Sequence, residues 1–267
     1  MTGPNRSAAG YPYFDNGGLP IAFAHRGGAL TGSNVGLENS MIAFESAIAL
    51  GYRYIETDVH ATADGELLAF HDRTLDRSTD RSGTIAELGY DEVRNARIAG
   101  RVPIPRLRDV LATWPELHLN VDAKSVGALK PLARVIQEER AWDRVCVASF
   151  SPRRLHRLRR LLGPRVASCL ATWEVAALRY APSTRLRHGV LRRAGQAAQV
   201  PIRAGRIEVV TPGFVDRAHR LGRVVQVWTI DEPEEMHRLL DLGVDAIMTD
   251  RTDVLKDVYE ARGVWGG

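Results

Sequence analysis

Glu56 and Asp58 stand two residues apart in a β-rich run, where alternation sends both carboxylates to one face. Asp122-Ala123-Lys124 ends another such run with a carboxylate and an amine on one face. Glu56, Asp58 and Asp122 form an oxygen-rich set with no thiol and no clustered histidine pair. That set suits a hard divalent cation, Mg²⁺ or Ca²⁺, better than zinc. An ordinary salt-bridged strand face is the plainer reading, but inward carboxylates at one strand end are costly unless neutralised. His25 and His71 flank the set, and imidazole is the side chain suited to moving protons at physiological pH, so they read as a general acid and base. Arg26 and Lys124 add fixed positive charge that an anion such as phosphate would use.

These residues need elements that bring them together. β-rich runs cover residues 21–24, 54–59, 66–70, 117–123, 145–150, 166–171, 197–202, 224–230 and 246–249. Amphipathic helical patterns follow at 107–114, 129–139, 152–162, 173–180, 214–221, 232–242 and 254–262, and a further one opens at Glu38-Asn39-Ser40 and stops near Gly51. Nine strand candidates compete for the eight places of a TIM (β/α)₈ barrel. Residues 66–70 are the odd ones out, because no helix separates them from 54–59 and a parallel crossover needs a dozen residues or more. Reading 59–71 as a β-hairpin excursion after strand two leaves eight strands, each with a helix. A turn centred on Asp64 then sets His71 opposite Thr57. Residues 182–193 are basic and irregular and read as a long loop, in part helical. The expected organisation is an N-terminal extension, 1–20, and a single barrel domain, 21–267.

Composition agrees with one globular enzyme-sized unit. The 267 residues are 45% hydrophobic and 25% charged, which excludes disorder. No apolar run approaches a membrane span, so no stable membrane insertion is expected, and no secretory signal is read at the start. Cys146 and Cys169 sit in apolar stretches and read as reduced core thiols of a cytoplasmic protein. The net charge of +4 comes from arginine, since Lys124, Lys130 and Lys256 are the only lysines. The densest basic stretch, 153–160, carries Leu155 and Leu158 at helical spacing and reads as a helix with a solvated face. No aromatics interleave there, so nucleic acid is not expected as a partner.

The ordered set of motifs resembles the glycerophosphodiester phosphodiesterase family. It runs through Ala24-His25-Arg26-Gly27-Gly28, Glu38-Asn39-Ser40, Glu56-x-Asp58-Val59, Thr62-x-Asp64-Gly65 and His71-Asp72-x-Thr74-Leu75-Asp76-Arg77. Asp122-x-Lys124, Ser149-Phe150, Val227-Trp228-Thr229 and the 243–250 stretch ending in Thr249-Asp250 complete it. The resemblance implies a TIM barrel that uses a divalent metal to split a glycerophosphodiester into glycerol 3-phosphate and an alcohol. It implies His25 and His71 as the acid/base pair, and Glu56 and Asp58 as metal ligands, with Asp122 joining them. Arg26 and Lys124 become phosphate neighbours, Trp228 a wall of the substrate pocket, and Glu38 belongs with them in the substrate-binding set. In the family the nucleophile is the substrate's own glycerol hydroxyl, giving a cyclic phosphate that water opens. Two positions depart from the usual pattern. Asp122 replaces a glutamate one methylene longer, and Ser40 replaces a threonine while keeping the hydroxyl cap. The expected partner is a small-molecule glycerophosphodiester. A lysophospholipase D or sphingomyelinase D type activity on the same scaffold is the alternative. A non-catalytic phosphate- or nucleic-acid-binding barrel is disfavoured, because both histidines, three carboxylates and Lys124 are kept.

Overall fold

The computed structural model describes residues 8–192 and 194–266. Residues 1–7 of the expected extension, Arg193 of the expected loop and the last residue lie outside the described residues. Eight parallel strands form the sheet: β1 (Ile21–His25), β2 (Tyr54–Ala61), β3 (His118–Ala123), β4 (Val145–Ala148), β5 (Ala167–Ser168), β6 (Ala197–Val200), β7 (Val224–Val227) and β8 (Ala246–Thr249). Their order is β5-β4-β3-β2-β1-β8-β7-β6. A parallel bridge between Cys169 and Ala197 joins the two ends, backed by Gln196 N donating to Ser168 O at 2.7 Å. The result is the expected (β/α)₈ barrel.

Strand parity explains its layers. On β2 every residue is buried, with Ile55 and Val59 facing the helices and Tyr54, Glu56 and Asp58 facing the barrel axis. Wall-facing Leu119, Val121, Val145, Val147, Val225, Val227 and Ile247 join the large core under the helices. Axis-facing Phe23, Tyr54, Cys146, Ala167, Ala197 and Ala246 form a second core at the barrel's N-terminal mouth. Residues 8–20 pack across that mouth in short 3₁₀ turns. There the buried Tyr13 ring sits 5.7 Å from Tyr54 and 5.8 Å from His118, and Tyr54 Oη donates to Tyr13 O at 3.0 Å. Apolar filling at one end leaves the other for charge.

The helices lie outside: α1 (Met41–Ala49), α2 (Leu107–Thr113), α3 (Leu129–Glu138), α4 (Pro152–Leu162), α5 (Thr172–Tyr180), α6 (Thr184–Leu191), α7 (Pro212–Arg220), α8 (Pro233–Asp241) and α9 (Thr252–Ala261). α6 makes most of the stretch over 182–193 helical, where a loop only in part helical was expected. Ser183 caps it by accepting from Leu186 N at 3.2 Å, and Leu191 buries its inner side. Gly189 and four arginines obscure that pattern in the sequence.

The hairpin forms as expected. A short strand, Leu67–Ala69, runs antiparallel to the far end of β2, with Val59 opposite Ala69, a register that continues to Thr57 opposite His71. Gly65 closes its turn at φ +87°, and its N donates to Thr62 O at 3.0 Å. Beyond it, residues 72–106 build a lobe that the sequence reading passed over. Its own small core packs Leu75, Ile85, Val93, Ala96, Ile98 and Ile104 against Leu37, Leu68 and Phe70.

Candidate active site

The charged residues gather at the C-terminal ends of β1, β2 and β3. Arg26 N donates to Glu56 O, and two residues on, Phe70 N donates to Asp58 O, both at 2.9 Å. The hairpin's return strand therefore continues along the edge of β2 that β1 occupies lower down. That carries His71 over the end of β1, where His25 sits.

Both histidines are held the same way. His25 Nδ1 lies 2.8 Å from Asp250 Oδ1, and His71 Nδ1 lies 2.6 Å from Asp72 Oδ1. A carboxylate only accepts, so each Nδ1 carries the proton and each Nε2 is left for chemistry. His25 Nε2 faces Glu56 Oε2 at 3.6 Å. Burial opposes protonation of His25, but the Asp250 hydrogen bond and the Glu56 charge outweigh it and raise its pKa.

The carboxylates differ in their compensation. Asp58 and Asp122 are neighbours in the β2–β3 register, and Lys124 Nζ bridges them at 2.8 and 2.7 Å. Asp58 also meets Arg26 Nε at 3.1 Å and accepts from Asn39 Nδ2 at 3.1 Å. Burial pushes its pKa up, yet Lys124 and Arg26 prevail and hold it below the ordinary value. Glu56 lacks such support: burial and then Asp58 push its pKa up to about 8. Burial likewise raises Asp122. Glu56 Oε2 and Asp122 Oδ1 are buried oxygens that accept no hydrogen bond among the described residues.

The carboxylates do not converge as a closed trio: among the described residues no cluster of three metal-binding side chains is formed. Two acids side by side repel, and the Lys124 ammonium lies between them. The donor chemistry still fits a hard cation, because the two orphaned oxygens are what such an ion would satisfy.

Glu38 meets Arg26 Nη1 at 3.4 Å and Arg77 Nη2 at 2.5 Å, and Arg77 also pairs with Asp72. Glu38 thus ties the β1–α1 loop to the lobe bearing His71. Trp228 packs edge-on to Phe150 at 5.5 Å, and Lys124 Nζ lies 5.4 Å from the Phe150 ring centre, so both aromatics wall this end of the barrel.

The family model for the glycerophosphoryl diester phosphodiesterase family matches residues 25–254, from His25 through α9's first turn. The chain belongs to this family. A phosphodiesterase relative from Mycobacterium tuberculosis, named probable glycerophosphodiester phosphodiesterase 2, is 43% identical over 92% of this chain and 93% of its own. Mouse lysophospholipase D GDPD1 is 25% identical, covering 88% and 84%. Among solved folds, an Oleispira antarctica phosphodiesterase in complex with the product sn-glycerol-3-phosphate superposes with TM-score 0.75 at 21% identity, covering 91% of this chain and 97% of that one.

Within this phosphodiesterase fold, sequence reasoning gave no role to four supporting residues, three of which it quoted only as parts of motifs. Asp250 orients His25, Asp72 orients His71, Asn39 holds Asp58, and His60 lies buried with Nε2 3.2 Å from His71 O. Parity was the available signal for two. Ala246, Met248 and Asp250 alternate toward the axis, and His60 follows Glu56 and Asp58 on the same face. Asn39 could not be found so: it stands at φ +58°, its N donating to Arg26 O at 2.9 Å, a loop geometry no periodicity reports.

Proposed function

We propose that the protein hydrolyses glycerophosphodiesters to glycerol 3-phosphate and an alcohol, with His25 and His71 moving the protons. The observation that carries this reading is the pair of imidazoles at one barrel end, each fixed through Nδ1 by a carboxylate and each presenting Nε2. One Nε2 takes the proton of the attacking glycerol hydroxyl as its oxygen bonds to phosphorus. The other gives a proton to the alcohol oxygen as that P–O bond breaks, and the roles reverse when water opens the cyclic phosphate. Arg26 and Lys124 bind phosphate oxygens and offset the charge of the transition state. Glu38 keeps Arg26 and Arg77 in place, and Trp228 with Phe150 orients the alcohol. Mg²⁺ or Ca²⁺ would be held by Glu56, Asp58 and Asp122 and would add positive charge at the phosphate. This reading assigns catalysis to one barrel domain, 21–267, acting in the cytoplasm. Among the described residues no helix is long and apolar enough to cross a membrane.

The test is release of glycerol 3-phosphate from a panel of glycerophosphodiesters with Mg²⁺, Ca²⁺, Mn²⁺ or chelator. Turnover abolished by chelator and restored by one ion supports the reading; metal-independent turnover removes the metal from it. A second reading, lysophospholipid cleavage, draws on Phe150, 63% exposed beside Trp228, and on the lysophospholipase D relative. Comparing glycerophosphocholine with lysophosphatidylcholine separates the two.

A further inference from the structure

The fold divides the chain's charge unevenly. Residues 151–223, from the cap of α4 to the turn before β7, contain sixteen arginines, no lysine and three acids, a formal +13. The remainder carries −9 within the total of +4. Two of the three acids are already engaged, Glu174 by Arg159 at 2.8 Å and Asp216 by Arg220 at 2.7 Å.

α4 to α7 lie side by side on the barrel wall. Arg159 of α4 pairs with Glu174 of α5, Arg217 of α7 donates to Leu178 O of α5 at 3.3 Å, and Arg223 donates to Leu191 O of α6 at 2.6 Å. Arg153, Arg157, Arg160, Arg185 and Arg192 are exposed on these elements with no carboxylate partner among the described residues. Where α5, α6 and α7 meet, Arg179 and Arg187 each lie near enough to Arg217 for their charges to act on it. Arg179 Nε, Arg187 Nε and Arg217 Nη2 are shielded from solvent and find no acceptor among the described residues. Burial, and then the charges of Arg179 and Arg187, lower the Arg217 pKa. The same wall exposes Leu161, Trp173, Tyr180 and Leu186 by 44–58%.

Guanidiniums gathered on one wall with so few carboxylates to offset them call for anionic oxygens from outside the chain, and the exposed ones are open to them. We propose that this quadrant docks the protein on an anionic phospholipid bilayer, with lipid phosphates meeting the exposed Arg153, Arg157, Arg160, Arg185 and Arg192. Peripheral adsorption of this kind needs cationic charge and apolar side chains on one surface, and both are present. Duplex nucleic acid would use the guanidiniums but has no role for exposed Leu161 and Leu186. The surface is built on the outer helices α4 to α7, whereas His25 ends β1 and His71 ends the hairpin, so the proposal stands whichever phosphodiester the site takes.

Co-sedimentation of the full chain with vesicles tests it. Vesicles of about one-third phosphatidylglycerol should retain the protein at low salt and release it as salt rises, while pure phosphatidylcholine should not retain it. R185E/R187E/R192E should weaken retention by about 10²-fold, at roughly fivefold per basic residue. Its turnover of a soluble glycerophosphodiester should match wild type, which shows that the barrel is intact. W173S/L186S should also weaken retention with the charge unchanged. Equal binding to neutral vesicles, wild-type retention of the charge variant, or tighter binding to duplex DNA at the same ionic strength would each overturn the proposal.

Discussion

His25 and His71 come from distant parts of the chain yet share one device, a carboxylate on Nδ1 that fixes the tautomer. Each is expected to be needed. His25→Ala and His71→Ala should each cut turnover by roughly 10²–10⁴-fold, the usual scale for losing a general acid or base. Near-full turnover in a folded variant would remove that residue from the pair. On a substrate with a very good leaving group, the variant lacking the acid should recover most of its loss, which assigns the roles. Asp122 belongs to the same scale. Its Oδ2 is engaged by Lys124, while its Oδ1 accepts no hydrogen bond among the described residues. Asp122→Asn keeps the shape and removes the charge, so it should raise the Mg²⁺ or Ca²⁺ concentration needed for half-maximal activity. Asp122→Glu should keep substantial activity from the same strand end. An unchanged metal requirement in Asp122→Asn would leave Glu56 and Asp58 as the ligand set.

At the scale of elements, the turns beyond the strand ends carry the site, and two glycines in them do different work. Gly28 follows β1 at φ +83°, and a Cβ there would meet Thr252 Cγ2 at 2.6 Å. Gly65, at φ +87°, has nothing within 4 Å of that position. Gly65→Ala therefore carries only the left-handed backbone cost, about 1 kcal/mol. Gly28→Ala adds a clash with α9 and should cost at least a further ~1 kcal/mol. Urea midpoints of the two variants check this ordering, and equal losses would refute it. The hairpin shows why such turns matter. Its register was readable from the short spacing after Val59, and that register alone delivers His71 over β1.

For the whole molecule, the barrel is filled apolar at one mouth and charged at the other, and residues 8–20 complete the apolar end. Tyr13 is fully buried there, and its hydroxyl has no hydrogen-bond partner among the described residues. Its ring, not its hydroxyl, should hold the plug. Tyr13→Ala should destabilise the barrel by about 3–5 kcal/mol, the range for losing a large aromatic from a core. Tyr13→Phe should leave thermal stability unchanged or raised, since it removes an unsatisfied buried oxygen. A large loss in Tyr13→Phe would show that the hydroxyl has a partner in solution.

Local order in the chain determined the barrel: eight β-rich runs separated by helical patterns, one hairpin where no crossover fits, and carboxylates at alternating strand positions. Those features depend on neighbours within a few residues, so spacing reports them. It also identified His25, His71, Glu56, Asp58, Asp122, Arg26 and Lys124 as residues of one barrel end. The tertiary structure decided what each of them touches. Asp250 reaches His25 only because β8 lies beside β1, 225 residues away in sequence. Lys124 bridges Asp58 and Asp122 because the β2–β3 register sets the two acids side by side. The lobe at 72–106 shows the same limit. Its small core closes on Leu37 and Leu68 from outside the segment, so no periodicity within it announced a folded unit. Pairings across the barrel depend on strand register and closure, and these are fixed by packing the whole chain at once.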